Sequence, residues 1–184
     1  MAATVRVTEW NGSGGTKTDK TSGTVRFKNA DNATVDLNDP LIKPTSDTEY
    51  SYEKWLRLDA AGEYTQIDNL RAYMDGANGF GTGIKLWYAI IGAFTAPAKP
   101  SVSVDPPQSA AAGSPLEDMA DAFDLTSGSP GDMDAINTGP FTPLSPNADV
   151  QNIGDWLVLV MEAETTVSAG VTPTETLTFA WDEI

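Results

Sequence analysis

The sequence predicts an all-β fold, namely an antiparallel β-sandwich of jelly-roll type with long loops and at most one short helix. Roughly seven to nine short segments alternate apolar and polar side chains, as strands with one buried face do. Clusters of Gly, Pro, Asn and Asp separate these segments. Because strands do not alternate with long helices, a parallel α/β sheet is disfavoured. The length of 184 residues suits a single domain covering residues 1–184.

The first fifty residues contain one clear strand and several polar connections. Residues 4–10 alternate and predict a strand. Residues 11–23 hold no apolar side chain, which predicts a flexible loop or an arm that becomes ordered on a partner. Residues 24–37 place two alternating stretches around the turn sequence NADN and predict a hairpin. Prolines make residues 38–49 an extended connection.

The most regular pattern lies between Tyr50 and Met74. Residues 50–58 predict a strand with aliphatic side chains on a core face and Trp55 on a half-exposed face. A turn that contains a glycine follows. Residues 67–74 predict the next strand, with an irregularity at residues 68–69 because the alternation slips there.

Three more strands complete the predicted sandwich. Residues 75–83 contain four glycines and predict a loop. Residues 84–91 are apolar on both faces, as a central strand would be. Residues 155–167 predict another strand, and residues 174–184 predict the closing strand with its large apolar side chains on one face.

Residues 95–150 differ from the rest because Pro, Gly, Ser, Ala and Asp dominate them. This composition predicts a long excursion over the surface of the domain, and such loops usually bind something. Residues 114–125 predict the one short helix, with Ser114 as its cap and Pro115 at its first position.

The composition excludes several kinds of chemistry. The chain has no Cys and no His, which removes disulfides, thiolate nucleophiles, thiolate–zinc sites and imidazole bases. All 11 Lys and Arg residues lie in residues 1–99, whereas residues 100–184 hold 14 acidic residues and no basic one. The net charge of −15 disfavours nucleic acid and an anionic membrane surface as partners. A cation or a basic partner surface fits this charge better.

No targeting segment is predicted. Residues 1–10 lack the basic start and the apolar run of a secretion signal. The longest apolar run, residues 84–94, is too short to span a bilayer and contains Lys85. We therefore expect a product made in the cytoplasm, wherever it finally resides.

One pair of acidic residues raises the possibility of hydrolase chemistry. Glu162 and Glu164 would share one face of a strand. Glycosidases hold two carboxylates about 5 to 9.5 Å apart, usually on different elements. Two neighbours at the end of one acidic strand are expected to be simply solvated instead. The chain is therefore predicted not to be an enzyme, and no catalytic residue is assigned.

Three loops cluster the oxygen ligands that calcium prefers. They are residues 36–40, 75–79 and 131–137, with the sequences DLNDP, DGANG and GDMDAIN. None has the full spacing of a calcium-binding loop, and Asp, Asn and Gly are also ordinary turn residues. No cofactor is predicted, and calcium stays an open alternative.

The five tryptophans offer two interpretations. A carbohydrate-binding sandwich exposes aromatic side chains to stack on sugar, whereas most tryptophans fill cores and subunit contacts. The second interpretation is favoured because most of them lie in strongly apolar strands. Trp55 and Trp87 are the exceptions, since each opposes the main core face of its strand. They would hold the sugar in a glycan-binding jelly roll.

Residues 53–76, EKWLRLDAAGEYTQIDNLRAYMDG, resemble a strand–turn–strand segment of tailed-bacteriophage virion structural proteins. In those proteins a W-L-R-L strand is followed by the pattern G-x-[FY]-x-x-I-x-N-L-R. The matching positions in this chain are Trp55, Leu56, Arg57, Leu58, Gly62, Tyr64, Ile67, Asn69, Leu70 and Arg71. The ending ETLTFAWDEI resembles the closing strand of such proteins. Together these two segments hold 34 of the 184 residues.

The resemblance implies a non-enzymatic capsid decoration or cement protein that binds and stabilises the head shell. Its expected partners are the major capsid protein or other virion proteins, and its expected location is the virion, after synthesis in the host cytoplasm. A tail, neck or fibre-adaptor protein is the alternative. A homo-oligomer is expected, with a trimer favoured because a capsid lattice has three-fold points. The predicted interaction residues are Trp55, Arg57, Arg71 and Trp87.

Overall fold

The computed structural model of the chain describes residues 2–101, 119–144, 150–170 and 172–184. Within them, ten strands and one 3-10 turn form two antiparallel sheets, which confirms the all-β prediction. The strands are β1 (Thr4–Asn11), β2 (Thr16–Asp19), β3 (Thr48–Tyr50), β4 (Lys54–Ala61), β5 (Ile67–Tyr73), β6 (Ile84–Ile91), β7 (Ala120–Asp121), β8 (Gly131–Asp132), β9 (Gln151–Glu164) and β10 (Thr178–Glu183). The 3-10 turn covers Ala122–Asp124.

The two sheets differ in size. The large sheet has the strand order β2-β1-β4-β9-β6-β7, and β3 also pairs with β9. The small sheet has the order β10-β5-β8. In sequence order the described strands pass between the sheets five times, because β5, β8 and β10 belong to the small sheet and the strands before and between them belong to the large one. Apolar side chains from both sheets share one core, so the arrangement is sandwich-like.

Strand β9 is the centre of the large sheet. It pairs with β4 on one side and with β6 on the other, and residues 153–163 are all buried. Leu157, Leu159 and Met161 face the core between the sheets. Trp156, Val158 and Val160 face a second apolar cluster on the opposite side of the large sheet. A strand buried on both faces is expected to be a continuous apolar run, and the sequence WLVLVM meets this expectation.

Aromatic rings build the second cluster. Trp156 lies edge-on to Trp10, with ring centroids 4.4 Å apart, and Phe94 packs against Trp156 at 5.1 Å. Trp55 completes the group and is fully buried. Edge-to-face aromatic pairs add roughly 0.5–1.5 kcal/mol beyond the area they bury. The prediction that tryptophans fill the interior is confirmed for Trp156, and Trp55, which was expected to be an exception, is buried as well.

Each sheet contains a bulge. In β5, Asn69 has a φ of 53°, and the register against β10 shifts beside it, which confirms the irregularity predicted at residues 68–69. In β9, the register against β4 shifts between Leu56 and Leu58, where Gly154 has a φ of 68°. A Cβ on Gly154 would lie 2.4 Å from the Met133 carbonyl oxygen. This bulge lets β9 continue, so the strand begins at Gln151 rather than at residue 155 as predicted.

The hairpin predicted for residues 24–37 is wrong. These residues contain no strand, and a single bridge joins Lys28 to Pro40. Side chains hold the segment instead of a ladder of backbone bonds. The Lys20 ammonium donates to the carbonyls of Thr24 and Ala33 at 2.8 Å each, and the Lys54 ammonium donates to the Asn32 carbonyl at 2.7 Å.

Both ammonium groups converge on one buried carboxylate. Glu9 is fully buried on β1, and its oxygens lie 3.1 Å from Lys54 Nζ and 3.4 Å from Lys20 Nζ. Burial lowers the pKa of Lys54, and the neighbouring Glu9 carboxylate opposes this shift. Burying a charge is costly unless it is paired and hydrogen-bonded. In the Glu9–Lys54–Lys20 cluster both ammonium groups pair with the carboxylate and Lys54 also donates a hydrogen bond to it, and the cluster fixes residues 20–33 against β1 and β4.

Three segments of the first sixty residues differ from their predicted structure. The segment 11–23, predicted as a flexible loop or arm, contains β2, which pairs with β1. The strand predicted at residues 50–58 is divided, because Tyr50 ends β3 and Lys54 begins β4. β3, in turn, begins within the predicted connection 38–49.

The predicted helix at residues 114–125 is not present in its described part. Residues 114–118 lie outside the described residues, and the remainder forms β7 and the 3-10 turn. In this turn the Asp121 carboxylate accepts a hydrogen bond from the Phe123 amide at 2.9 Å. Met119, Phe123 and Leu125 are buried, so this part of the 95–150 excursion is built into the apolar interior.

We expect Lys54→Met to lower the free energy of unfolding by about 3–5 kcal/mol, because it leaves the Glu9 charge buried with one partner fewer. Asp182→Ala is the control, since it removes an ion pair on the surface. In this pair the Arg71 side chain is 40% exposed and the Asp182 side chain is 52% exposed. The control should cost about 1 kcal/mol or less. Urea unfolding of both variants measures the difference, and equal costs would contradict the role given to the cluster.

Gly154→Ala is expected to cost more than about 1 kcal/mol of stability, because the residue combines a positive φ with a backbone oxygen in the path of a Cβ. Gly14→Ala is the matched control, since nothing lies within 4 Å of a Cβ placed there. Thermal unfolding of the two variants compares them. A Gly154→Ala protein as stable as the Gly14→Ala protein would show that the bulge is not a constraint.

Candidate functional site: an apolar cleft between the sheets

A cleft of about 870 Å³ lies between the two sheets. The inner face of the large sheet forms its floor, with aliphatic side chains from four neighbouring strands. They are Val5 and Val7 of β1, Leu56 and Leu58 of β4, Leu159 and Met161 of β9, and Ile84 and Leu86 of β6. The volume lies within the range of roughly 300–1,000 Å³ that is usual for ligand sites.

The cleft exists because the small sheet is too narrow to cover the large one. β10 is the outer strand of the small sheet, and within the described residues it pairs with β5 alone. Phe179 and Trp181 of β10 form one wall, and both are half-buried. Segments without strands also line the cleft. They lie within residues 20–27, 40–43, 167–170 and 172–177.

The Glu9–Lys54–Lys20 cluster positions one of these walls. Lys20 and the carbonyls it binds hold the start of the strandless segment. Val25 and Phe27 follow in the same segment, are half-buried, and line the cleft. The wall therefore depends on buried charges next to it rather than on strand pairing.

Basic side chains surround the cleft although the whole chain is acidic. Arg6, Lys20, Arg26 and Lys43 are among the lining residues, and Glu175 is the acidic one in the described part of the lining. Lys20 is committed to Glu9, and Arg6 lies 4.0 Å from Asp19. Within the described residues no ion pair involves Arg26 or Lys43. The rim thus presents a local positive charge.

The four predicted interaction residues do not come together in this cleft. Trp55 is fully buried, and its indole N–H donates to Glu53, so it has no surface to offer a partner. The expectation that it lies on a half-exposed face is wrong, because the second apolar cluster covers that face. Trp87 is half-buried, and its indole N–H donates to Glu162 at 2.6 Å.

The two arginines lie apart from each other. The Arg57 guanidinium lies 4.9 Å from the ring centroid of Trp156, and its Nε donates to the Ile153 carbonyl at 3.3 Å. Burial lowers its pKa. Arg71 is on the small sheet and pairs with Asp182 at 2.9 Å. Arg57 therefore packs over the second cluster, and Arg71 forms a surface ion pair.

The pair Glu162 and Glu164 is not solvated as expected. Glu162 is fully buried and accepts the indole N–H of Trp87, while Lys85 lies 3.5 Å away. Glu164 lies 2.9 Å from the same Lys85 ammonium, whose hydrogen bond and charge lower the pKa of this carboxyl. Both carboxylates thus share one lysine on β6 and help join β6 to β9.

The three loops considered as candidate calcium sites use carboxylates in local hydrogen bonds. Asp36 accepts from Lys28 at 2.6 Å, and Asp75 accepts from the Ala77 amide at 2.9 Å. Asp132 accepts from the Asp134 amide at 3.1 Å. In the described ranges, no group of three or more acidic side chains is close enough to hold a metal ion.

Asp134 is nevertheless unusual among these carboxyls. Its pKa is raised to about 6, first because it is partly buried, and further because Asp132 and Asp68 lie beside it. The Leu70 amide opposes this shift by donating a hydrogen bond to Asp134 at 3.4 Å. The carboxyl therefore takes up a proton within the mildly acidic range.

No protein-family model, no curated protein and no solved structure matches the chain. Among the described residues, no helix is long and apolar enough to cross a membrane.

The site residues that the sequence did not reveal are the half-buried apolar side chains around the cleft. The clearest signal was the sequence VRF at residues 25–27, in which an arginine separates two apolar residues. Its alternation predicts a strand of a hairpin. In the structure these residues have no strand to pair with, so they line the cleft instead. The sequence does not show whether a pairing strand is present.

Asp134→Asn is expected to stabilise the protein at pH 7.5 and to leave stability unchanged near pH 4. The pKa of this carboxyl is higher in the folded protein than in the unfolded chain, so ionisation above pH 6 opposes folding, and below pH 4 both states are protonated. Because the group is partly exposed, the gain should be about 1 kcal/mol or less. Urea unfolding at both pH values measures it, with Glu63→Gln as the control. A gain that persists at pH 4 would contradict this explanation.

Proposed function

We propose that the chain is a non-enzymatic virion structural protein, foremost a capsid decoration or cement protein that binds and stabilises the head shell. One observation carries the binding role, namely the apolar cleft beside the outer strand of the small sheet. Such a surface offers apolar area and backbone groups to another protein. A protein that adheres to a shell needs these contacts rather than reactive groups.

The assignment to a virion rests on the resemblance of residues 53–76. This segment contains β4 and β5, one strand in each sheet. It therefore joins the two layers whose unequal widths create the cleft. The resemblance and the proposed binding surface consequently concern the same part of the framework.

The charge distribution supports a defined orientation on the shell. Arg26 and Lys43 lie at the cleft, so an acidic patch on a shell protein would be attracted to this side. The 14 acidic residues of the second half contribute a negative charge that would keep decorated particles apart. A trimer is the proposed assembly, because a head lattice offers three-fold positions.

A glycan-binding role receives less support. It requires Trp55 and Trp87 as exposed platforms, but Trp55 is fully buried and Trp87 uses its indole N–H for Glu162. A tail, neck or fibre-adaptor role uses the same kind of surface as decoration and differs in location. The location is therefore a direct outcome of the experiment that tests the proposal.

The test is binding of the purified chain to expanded phage heads that lack it. We expect the chain to sediment with the heads and to raise their melting temperature. Val25→Asp places a charge in the cleft wall and should weaken binding by about tenfold or more, equivalent to about 1.4 kcal/mol. Val35→Asp is the matched control, since Val35 belongs to the same strandless segment but is 54% exposed and outside the cleft lining.

The unfolding midpoints of both variants are measured first, so that loss of folding is not mistaken for loss of binding. Equal binding by the two variants would reject the cleft as the contact surface. Antibody labelling of complete particles then decides the location. Label on tails alone would replace the decoration role with the tail role, and the absence of label on any particle would reject the virion assignment.

A further inference from the structure

We infer that the cleft takes up an extended, acidic segment of a partner protein, which pairs with β10 as an additional strand of the small sheet. This inference deepens the proposed function by naming the kind of segment that the cleft would bind. Three features carry it, and they are the free edge of β10, the apolar walls and the basic rim.

The edge of β10 is unusually open. Outer strands of sheets are normally short or carry charges that prevent pairing with other chains. β2 has four residues, two of them charged, and β7 and β8 have two residues each. β10 has six residues, and its first four, TFAW, carry no charge. The described part of the chain therefore contains one long outer strand without the usual protection.

The hydrogen-bonding directions of β5 show which groups of β10 are free. The Leu70 carbonyl accepts from the Met133 amide beside β8, so Leu70 and Ala72 direct their backbone groups away from β10. Arg71 and Tyr73 then direct theirs towards Ala180 and Thr178. By the same alternation, the amide and carbonyl of Phe179 point to the open edge, where an added strand would bond to them.

The walls suit the alternating side chains of a strand. Successive side chains of a strand point to opposite faces, so every second one would enter the space between the sheets. There it would meet Val5 and Val7, which are the half-buried residues of the floor, and the half-buried Phe27 and Leu41 of the wall. The other side chains would face outward and need no particular chemistry. Recognition by strand addition combines backbone bonds with pockets for alternate side chains in this way.

The rim selects the charge of the segment. Arg26 is half-exposed and Lys43 is exposed, and neither is paired within the described residues. An aspartate or glutamate next to the apolar positions of the segment would lie near them. An anionic amphiphile such as a fatty acid would also match an apolar interior with a basic rim. It would leave the backbone groups of Phe179 unused, and the free edge therefore favours a peptide.

The experiment is a selection from a display library of random twelve-residue peptides against the whole chain. We expect the enriched peptides to carry apolar residues at every second position and Asp or Glu at one end. The best peptide should slow hydrogen exchange at the Phe179 amide by about tenfold or more, because that amide gains an acceptor. N-methylation at the peptide positions that bond to β10 should abolish binding.

Variants with altered surface charge test whether the basic rim selects an acidic segment. Arg26→Glu combined with Lys43→Glu should lower affinity for the acidic peptide by about tenfold or more. Val35→Glu combined with Leu37→Glu adds two negative charges at exposed side chains outside the cleft lining and away from β10, and it should leave affinity within about twofold. Enrichment without two-residue periodicity, or binding that survives N-methylation, would overturn the inference. Binding of decanoate with no enriched peptide would assign the cleft to an amphiphile instead.

The outcome is separable from that of the proposed function. Peptide selection uses the isolated chain and no particle. If peptides bind to β10 but the chain binds no head, the strand-addition site stands and the virion role fails. If the chain binds heads and the Phe179 amide exchanges as before, the virion role stands and strand addition fails.

Discussion

The structure depends on one buried carboxylate that is shared by two lysines. Glu9 lies on β1, Lys54 on β4, and Lys20 just after β2, so the cluster joins three adjacent strands of the large sheet. The same ammonium groups also bind carbonyls of a segment that forms no strand. In this segment, charge pairs and lysine–carbonyl hydrogen bonds hold the backbone in place, as strand pairing does elsewhere in the fold. Because a buried charge without a partner is so unfavourable, the segment has little freedom to move away.

The two sheets have unequal widths, and this difference leaves an apolar cleft beside the segment that the lysines hold. A three-strand sheet over a much wider one leaves Val5 and Val7 of β1 only half-buried. The segment held by the lysines closes this space only in part. On its other face the large sheet is sealed by the aromatic cluster around Trp156. The molecule therefore has one apolar interior that aromatic rings seal and one that borders an apolar cleft.

Sequence periodicity predicted the strands that alternate cleanly or are buried on both faces. β1, β5, β6, β9 and β10 were found in this way, including the irregularity in β5, because period-two patterning reflects burial directly. Residues 24–37 alternate equally well, but no neighbouring strand is available to them, and pairing is a property of the whole fold. The cleft was not predicted for the same reason. The burial of Trp55 depends on Phe94 and Trp156, which are remote in sequence.

The order of strands along the chain has a consequence for synthesis on the ribosome. The central strand β9 pairs with β3, β4 and β6, and its partner residues in β3 and β4 are about a hundred positions earlier in the chain. β4 can pair with β1 early, but β3, β4 and β6 cannot pair with β9 until β9 has been translated. Until then their apolar faces are exposed in a growing chain, a situation in which chaperones act and aggregation begins. High contact order of this kind also slows folding. The rate at which the large sheet assembles is therefore limited by the late synthesis of its central strand, β9.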